Sequence, residues 1–412
     1  MNSSKLSVFK SILFWIIVFF ILRLFGITNA PVEMGHSWRQ VLTNMVSRNM
    51  LEIEPSLMYP RIDMGGERTG IIGAEFPVYN YFIYIWFKLF GVNHWVGRLI
   101  NLVISSIGIY FFHQIISKNI SRKVAFNAAI VLLVSGWFGF SRKVMPDTVS
   151  VSFAIIGLYY ALRFIEKEKI INLIQFVIFA GLGVLIKMPA VIILSVLILP
   201  MFSSKYSIGA KLKLTGAGGI VLLLMGLWYF YWVPHLTSTY GYVLYYPRSL
   251  VDGLNELWVN LFDTLDKFFF AAFLSFVAFG FFLFGFFMIF KKKQSIIKYS
   301  LLVTSVILFF YMMKTGDVFS FHSYYIIPFT PIMALVAGYG ISFLPIRWSY
   351  LVLVVITVES IANQSHDFML KPDRILMLEW EQIADDVSDS NDKVIVSGHL
   401  DPTTMYFVHR RG

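Results

Sequence analysis

Residues 170–203 read IINLIQFVIFAGLGVLIKMPAVIILSVLILPMFS, two apolar runs with one charge between them, Lys187, followed at once by Met188-Pro189. Neither run has a charged face to turn toward water, so each reads as a helix in an apolar surrounding. Runs of the same kind recur at about 11–28, 96–116, 124–141, 149–165, 214–233, 267–290, 297–313, 325–345 and 348–364, giving eleven predicted spans. The composition agrees. The chain is 57% hydrophobic and 14% charged, with a mean hydropathy of +0.70, whereas a soluble domain is about half apolar and a quarter charged. A soluble enzyme is excluded, and an all-α, multi-pass integral membrane protein is predicted. The first run carries Arg23, follows Lys5 and Lys10 and lacks a convincing cleavage site, which favours an uncleaved span over a signal peptide.

The net charge of +10 does not point to nucleic acid, because the basic residues stand in short clusters between apolar runs. Such clusters set membrane orientation. With the N-terminus in the cytoplasm, the inner segments hold fifteen cations, among them Lys118, Arg122, Lys123, Lys291, Lys292, Lys293 and Arg347, against two acids, Glu166 and Glu168. An odd number of spans then puts the C-terminus outside, where nine Asp and Glu lie between Asp367 and Asp401. The absence of cysteine removes disulfides, thiolate metal sites and a cysteine nucleophile.

Residues 1–364 form the predicted membrane domain, with a first outer loop at 28–95 and a second at 234–266. Loops of this length are usually functional. Trp38–Leu51 and Val78–Phe90 read as helices at the outer interface, rich in aromatic side chains. Residues 365–412 read as a small α/β tail, with a helix over 374–387, a strand at 393–397 and a helical start after Asp401-Pro402. Gly216-Ala217-Gly218-Gly219 is too degenerate for a nucleotide loop and reads as a small-residue helix-packing patch.

The outer connections break the charge rule. Arg98, Arg142, Lys143, Lys187, Arg248 and Lys314 all fall there. Each alone reads as a side chain snorkelling to the interface. Together they suit a pocket for a phosphate. The first outer loop adds Glu33, Asp63, Glu67 and Glu75, acids of the kind that take a proton from an acceptor hydroxyl beside cations that hold a departing phosphate. Glu33 and His36 stand just after the first span, but two residues do not make a metal site, so a divalent metal stays open and no other cofactor is indicated.

An ordered set of motifs runs through the chain. His36-Ser37-Trp38-Arg39-Gln40 is followed by Ser47-Arg48-Asn49-Met50, then Glu75-Phe76-Pro77-Val78-Tyr79, Leu89-Phe90-Gly91 and Gly97-Arg98-Leu99. Pro146-Asp147 opens the fourth span, a glycine-rich run from Gly181 ends in Lys187-Met188-Pro189, and His322-Ser323-Tyr324-Tyr325-Ile326-Ile327-Pro328 precedes Pro331. This set resembles the GT-C membrane glycosyltransferases that use polyprenyl-phosphate sugars, the broad glycosyltransferase family 39 group of protein O-mannosyltransferases and the lipid A aminoarabinose transferase. The resemblance departs in two places: an Asp usual after the first span is missing, with Glu33 and His36 nearest to it, and Leu42 stands where an acid often follows the Trp-Arg-Gln element.

The resemblance implies a GT-C-like bundle whose first outer loop carries the catalytic acid and whose cavity holds a lipid-linked sugar phosphate. The expected activity is hexosyl or pentosyl transfer from a polyprenyl-phosphate sugar to an extracytoplasmic glycan, lipid or protein, in a bacterial plasma membrane and in contact with membrane lipid. Glu33, Asp63, Glu75 and His36 are the expected catalytic groups, brought together by the folding of the first loop; Lys187, Arg98, Arg142 and Arg248 the phosphate-binding ones; Arg39, Asp147, His322 and Tyr325 the substrate-binding ones. The alternatives are a transporter or flippase of a lipid-linked or anionic substrate, and a catalytically silent relative. A transporter tends to show paired halves with interrupted helices and acids inside its spans, which this sequence lacks.

Overall fold

The computed structural model describes residues 11–242, 247–396 and 401–412. Lys5 and Lys10 of the inner cations, and Ser397 of the predicted strand, lie outside the described residues. The helices relevant to the site are α1 (Ile12–Arg23), α2 (Ser37–Glu52), α3 (Val78–Phe90), α4 (His94–Asn119), α5 (Arg122–Val134), α6 (Gly136–Phe140), α7 (Pro146–Lys167) and α8 (Ile170–Ile186). They are followed by α9 (Met188–Met201), α10 (Ile208–Tyr240), α11 (Leu250–Val259), α12 (Leu261–Ala271), α13 (Phe276–Lys291), α14 (Ser295–Thr315), α15 (Asp317–Phe321), α16 (Thr330–Ile341), α17 (Ile346–Phe368), α18 (Trp380–Val387) and α19 (Pro402–Val408).

Every predicted apolar run falls on one or two of these helices, but runs and crossings are not the same thing. By length and apolar composition α4, α7, α10, α14 and α17 can cross a membrane alone, and α12 with α13, bent by 92°, makes a sixth if the pair is one span. The apolar helices α1, α8, α9 and α16 are shorter. The reasons are local. Ser135, in extended backbone, ends α5 and caps α6 by accepting from the Trp137 N–H. Lys187, also extended, ends α8 just before Pro189.

Ion pairs show which helix ends lie together. Lys118 meets Glu166, the Ser207 hydroxyl donates to Glu168 at 2.8 Å, and Lys123 Nζ donates to the Ser342 and Leu344 carbonyls at 2.7 Å. The connections predicted to be inner therefore meet at one end of the bundle. The first loop, the start of α7, the end of α8 and the tail meet at the other.

Among the described residues there is no strand longer than an isolated bridge. The strand expected at 393–397 is a single parallel bridge between Lys393 and Arg411, because no second extended segment runs alongside it. Helix α2, expected at an interface, is buried from Arg39 to Met50. Val41, Leu42, Met45 and Val46 of α2 form a separate core with Met405, Tyr406 and Phe407 of α19, so loop and tail fold as one layer. In the Gly216 patch only Ala217 packs into the core, and a Cβ at Gly216, Gly218 or Gly219 would meet open space. Near the site a tight glycine is Gly183, where a Cβ would lie 2.9 Å from the Ala154 nitrogen and the Ser150 carbonyl of α7.

Candidate active site

Two charged clusters occupy the loop-bearing end. The first is dry. Glu33 Oε2 lies 3.1 Å from Arg98 Nη2, Glu33 Oε1 lies 3.0 Å from Arg142 Nη1, and all three side chains are fully buried. Gln40 finishes the cluster: its Nε2 donates to Glu33 Oε2 at 3.3 Å, while its Oε1 accepts from Arg98 and from the Val144 N–H at 3.2 Å. The guanidiniums also cap loop carbonyls, Arg98 those of Ile27 and Asn29, Arg142 that of Gly26. A buried carboxylate shared by two guanidiniums is satisfied and shielded. Lys143 extends the cluster, donating to the Gly35 carbonyl at 2.8 Å and lying 3.4 Å from Asp367; burial pulls its ammonium below the ordinary lysine range.

The second cluster is partly open. Close packing at Gly183 sets α8 against α7, and the Ser150 hydroxyl donates to the Gly183 and Lys187 carbonyls at 2.8 and 3.2 Å. This holds Lys187 opposite Asp147, the second residue of α7, and the two form an ion pair. The Lys187 ammonium lies 4.7 Å from the Tyr324 ring centre and 5.4 Å from that of Tyr325. Alongside, Arg39 pairs with Glu75. Asp147 Oδ2 is buried without a hydrogen-bond partner, whereas the Glu75 side chain is 25% exposed. Burial pushes the Glu75 carboxyl up, but Arg39 and then Lys187 outweigh it, so it lies below the ordinary carboxylate range. A cavity of about 30 Å³ opens between Arg39, Glu75, Pro146 and Ile186.

His36 takes a left-handed backbone conformation (φ 62°) and packs its ring 5.1 Å from Phe140 and 5.3 Å from Tyr324. Burial, with Lys143 nearby, lowers its pKa to about 3, so the ring is neutral at pH 7. Exposed His322 lies at the rim, its ring 5.4 and 5.8 Å from those of Tyr324 and Tyr325.

The expected assembly of Glu33, Asp63 and Glu75 does not form. Asp63 accepts from Arg48 at 2.9 Å and Asn49 at 2.8 Å, holding the loop to α2. Glu33 is held by Arg98 and Arg142, so two of the expected phosphate-binding residues are paired with an expected catalytic one. Arg248 joins neither cluster, because Glu256 and Asp317 hold its guanidinium at 2.9 and 3.2 Å. Among the described residues no group of three or more His, Cys, Asp or Glu is placed to hold a metal ion.

Residues 74–232, the segment carrying Glu75, Asp147 and Lys187, match the family described as dolichyl-phosphate-mannose-protein mannosyltransferase. In three dimensions the chain is similar to ArnT from Cupriavidus metallidurans bound to undecaprenyl phosphate, at 14% identity, with 96% of this chain and 85% of that chain covered and a TM-score of 0.62. It is also similar to the archaeal oligosaccharyltransferase AglB from Archaeoglobus fulgidus in complex with an inhibitory peptide and a dolichol-phosphate, at 11% identity, covering 96% and 64% with a TM-score of 0.53. No curated protein matches in sequence. The chain has the GT-C fold.

Within this GT-C bundle the residues that meet are Arg39, Glu75, Asp147, Lys187 and Tyr325 from the sequence reading, with His36 and His322 against the tyrosines and Tyr324 added. Tyr324 was visible only as part of its motif. Gln40, too, was visible only within its motif, and Ser150 carried no signal, since its role comes from carbonyls that sequence does not place in space.

Proposed function

We propose that the chain transfers a hexosyl or pentosyl group from a polyprenyl-phosphate sugar to an acceptor hydroxyl on the extracytoplasmic side of a bacterial plasma membrane, with its N-terminus in the cytoplasm. The observation that carries the reading is a pair of neighbouring salt bridges, Arg39–Glu75 in the wall of a cavity and Lys187–Asp147 beside the wall residues Pro146 and Ile186, with two tyrosines facing Lys187. Two cations suit a phosphate, and two carboxylates beside them suit proton removal.

In this reading the donor phosphate takes over Lys187 and Arg39. The acceptor oxygen attacks the anomeric carbon, the bond from that carbon to the phosphate oxygen breaks, and its electron pair leaves with the polyprenyl phosphate. The acceptor proton passes to Glu75, released from Arg39 as the phosphate binds. The charge growing on the phosphate is what Lys187 stabilises more in the transition state than before it. A cavity of about 30 Å³ has room for roughly one water, so the donor enters only as the ion pairs part. Asp147, with its free oxygen, holds Lys187 in place or takes a donor hydroxyl.

The test is incubation of the purified chain with synthetic polyprenyl-phosphate sugars and mass-spectrometric detection of free polyprenyl phosphate and glycosylated acceptor. Carriage of the lipid between leaflets with no cleavage would favour a flippase and sink the transferase reading.

A further inference from the structure

A second, larger cavity of about 260 Å³ lies where α2, the start of α4 and the tail meet. It is not an extension of the sugar-transfer site. Arg39 and Arg48, which border the two cavities, are nine residues apart on α2, about two and a half turns, and so point to opposite sides of that helix.

The walls differ in chemistry. On one side stand Arg48 and His94, whose Nε2 lies 3.1 Å from the Tyr406 hydroxyl. Two nitrogens of the Arg48 guanidinium are used, by Asp63 at 2.9 Å and the Tyr406 carbonyl at 3.0 Å, but its Nε is buried with no partner. Buried polar atoms left unpaired within the protein need an explanation, and a ligand group is one. On the other side stands Glu381, half-exposed, its Oε1 2.6 Å from His409 Nδ1, with Glu52 behind at 3.0 Å from His409 Nε2. An anion alone would be repelled by Glu52 and Glu381. A cation alone would leave the donor wall empty.

The lip is apolar. Val92 and Leu378 line the opening and are 41% and 43% exposed, and Leu89 and Phe90 beside them are more exposed still. Val92 precedes by two residues the start of α4, which is long and apolar enough to cross a membrane. The opening therefore sits at the membrane boundary, where exposed leucine and phenylalanine meet acyl chains.

We infer that this cavity binds the head group of a membrane lipid bearing both a phosphate and a primary ammonium, of the phosphoethanolamine type. The phosphate lies toward Arg48 and His94, the ammonium toward Glu381, and the acyl chains leave over Val92 and Leu378. The site does not depend on the sugar-transfer reading, and its test needs no turnover.

The full chain is reconstituted in nanodiscs of dioleoyl phosphatidylcholine containing a minor share of either dioleoyl phosphatidylethanolamine or dioleoyl phosphatidylglycerol, and retained lipids are counted by native mass spectrometry. Phosphatidylethanolamine is expected to be retained about tenfold over either competitor, the worth of one charge-assisted contact. Glu381→Gln keeps an acceptor for His409 and removes the charge, and is expected to bring the preference over phosphatidylcholine close to one. Leu378→Trp leaves every charge in place, fills the opening and is expected to abolish retention; an unchanged thermal midpoint in phosphatidylcholine alone shows that each variant is folded. Equal retention of the three lipids, a preference for phosphatidylglycerol, or phosphatidylethanolamine retention untouched by both substitutions would overturn the inference.

Discussion

The Glu33 and Lys187 clusters use the same residue types on the same side of the bundle, and they differ in water. Glu33, Arg98 and Arg142 have no exposed side-chain surface, and each carboxylate oxygen of Glu33 has its own guanidinium. Around Lys187 the side chains keep up to a quarter of their surface, one carboxylate oxygen is unpaired, and a cavity opens. The first arrangement, although Arg142 Nε has no partner, is sealed from water. The second can exchange partners. Charge found at a membrane boundary is thus weak evidence of chemistry until one knows whether its partners are complete.

The comparison can be broken most severely at Glu33. Glu33→Leu leaves Arg98 and Arg142 buried with no carboxylate, at a cost of about 3–5 kcal/mol, and is expected to remove most folded protein from detergent extracts in size-exclusion chromatography. If the variant folds normally and loses only turnover, the dry cluster is catalytic and the contrast is wrong. Next is Glu75→Gln. Folding should survive in this partly wet site, while transfer from a lipid-linked sugar falls roughly 10²–10⁴-fold as the proton acceptor is lost. Lys187→Met keeps the stem, removes the charge and is expected to lower kcat about a hundredfold or more with unchanged expression; unaltered turnover would return Lys187 to the snorkelling role.

A smaller effect is expected where loop meets tail. Both ring nitrogens of His409 face carboxylates, and only the imidazolium donates to both. The hydrogen bond to Glu52 raises its pKa, against the effect of burial, and Glu381 adds to the rise. Because the folded value lies above the unfolded one of about 6.5, the stabilisation is complete below that pH and is lost as pH rises through the raised value. Amide protection factors in α19, with the intrinsic base-catalysed rate divided out, should therefore fall from about pH 6 to pH 9, and His409→Gln should flatten that trend. The smallest effect is at Gly218, where open surroundings predict that Gly218→Leu changes the thermal midpoint by the equivalent of under about 0.5 kcal/mol.

Apolar periodicity located the helices well because lipid-facing and core-facing residues are alike apolar, and no tertiary knowledge is needed to see them. The same likeness hid the breaks at Ser135 and near Ala272–Ser275. Lys187 and Asp147 stood out as isolated charges bordering apolar runs, and the structure joins them. What sequence could not show is pairing across distance: Glu33 and Arg142 are 109 positions apart, and nothing local in either marks the other as its partner. The Gly216 patch packs only at Ala217, since small residues permit close packing without requiring a neighbour to arrive at each of them.

The shared core of α2 and α19 bears on how the protein is made. Val41, Leu42 and Met45 emerge from the ribosome early, yet the side chains that cover them, Met405, Tyr406 and Phe407, emerge only after every apolar run has been synthesised. Until then the layer over the reaction centre has an uncovered apolar face, and α2, which carries Arg39, lacks part of its support. The support of the Lys187 cluster is therefore complete only once α19 is made, and translation arrested before α19 should leave an inserted bundle with an unfinished loop layer.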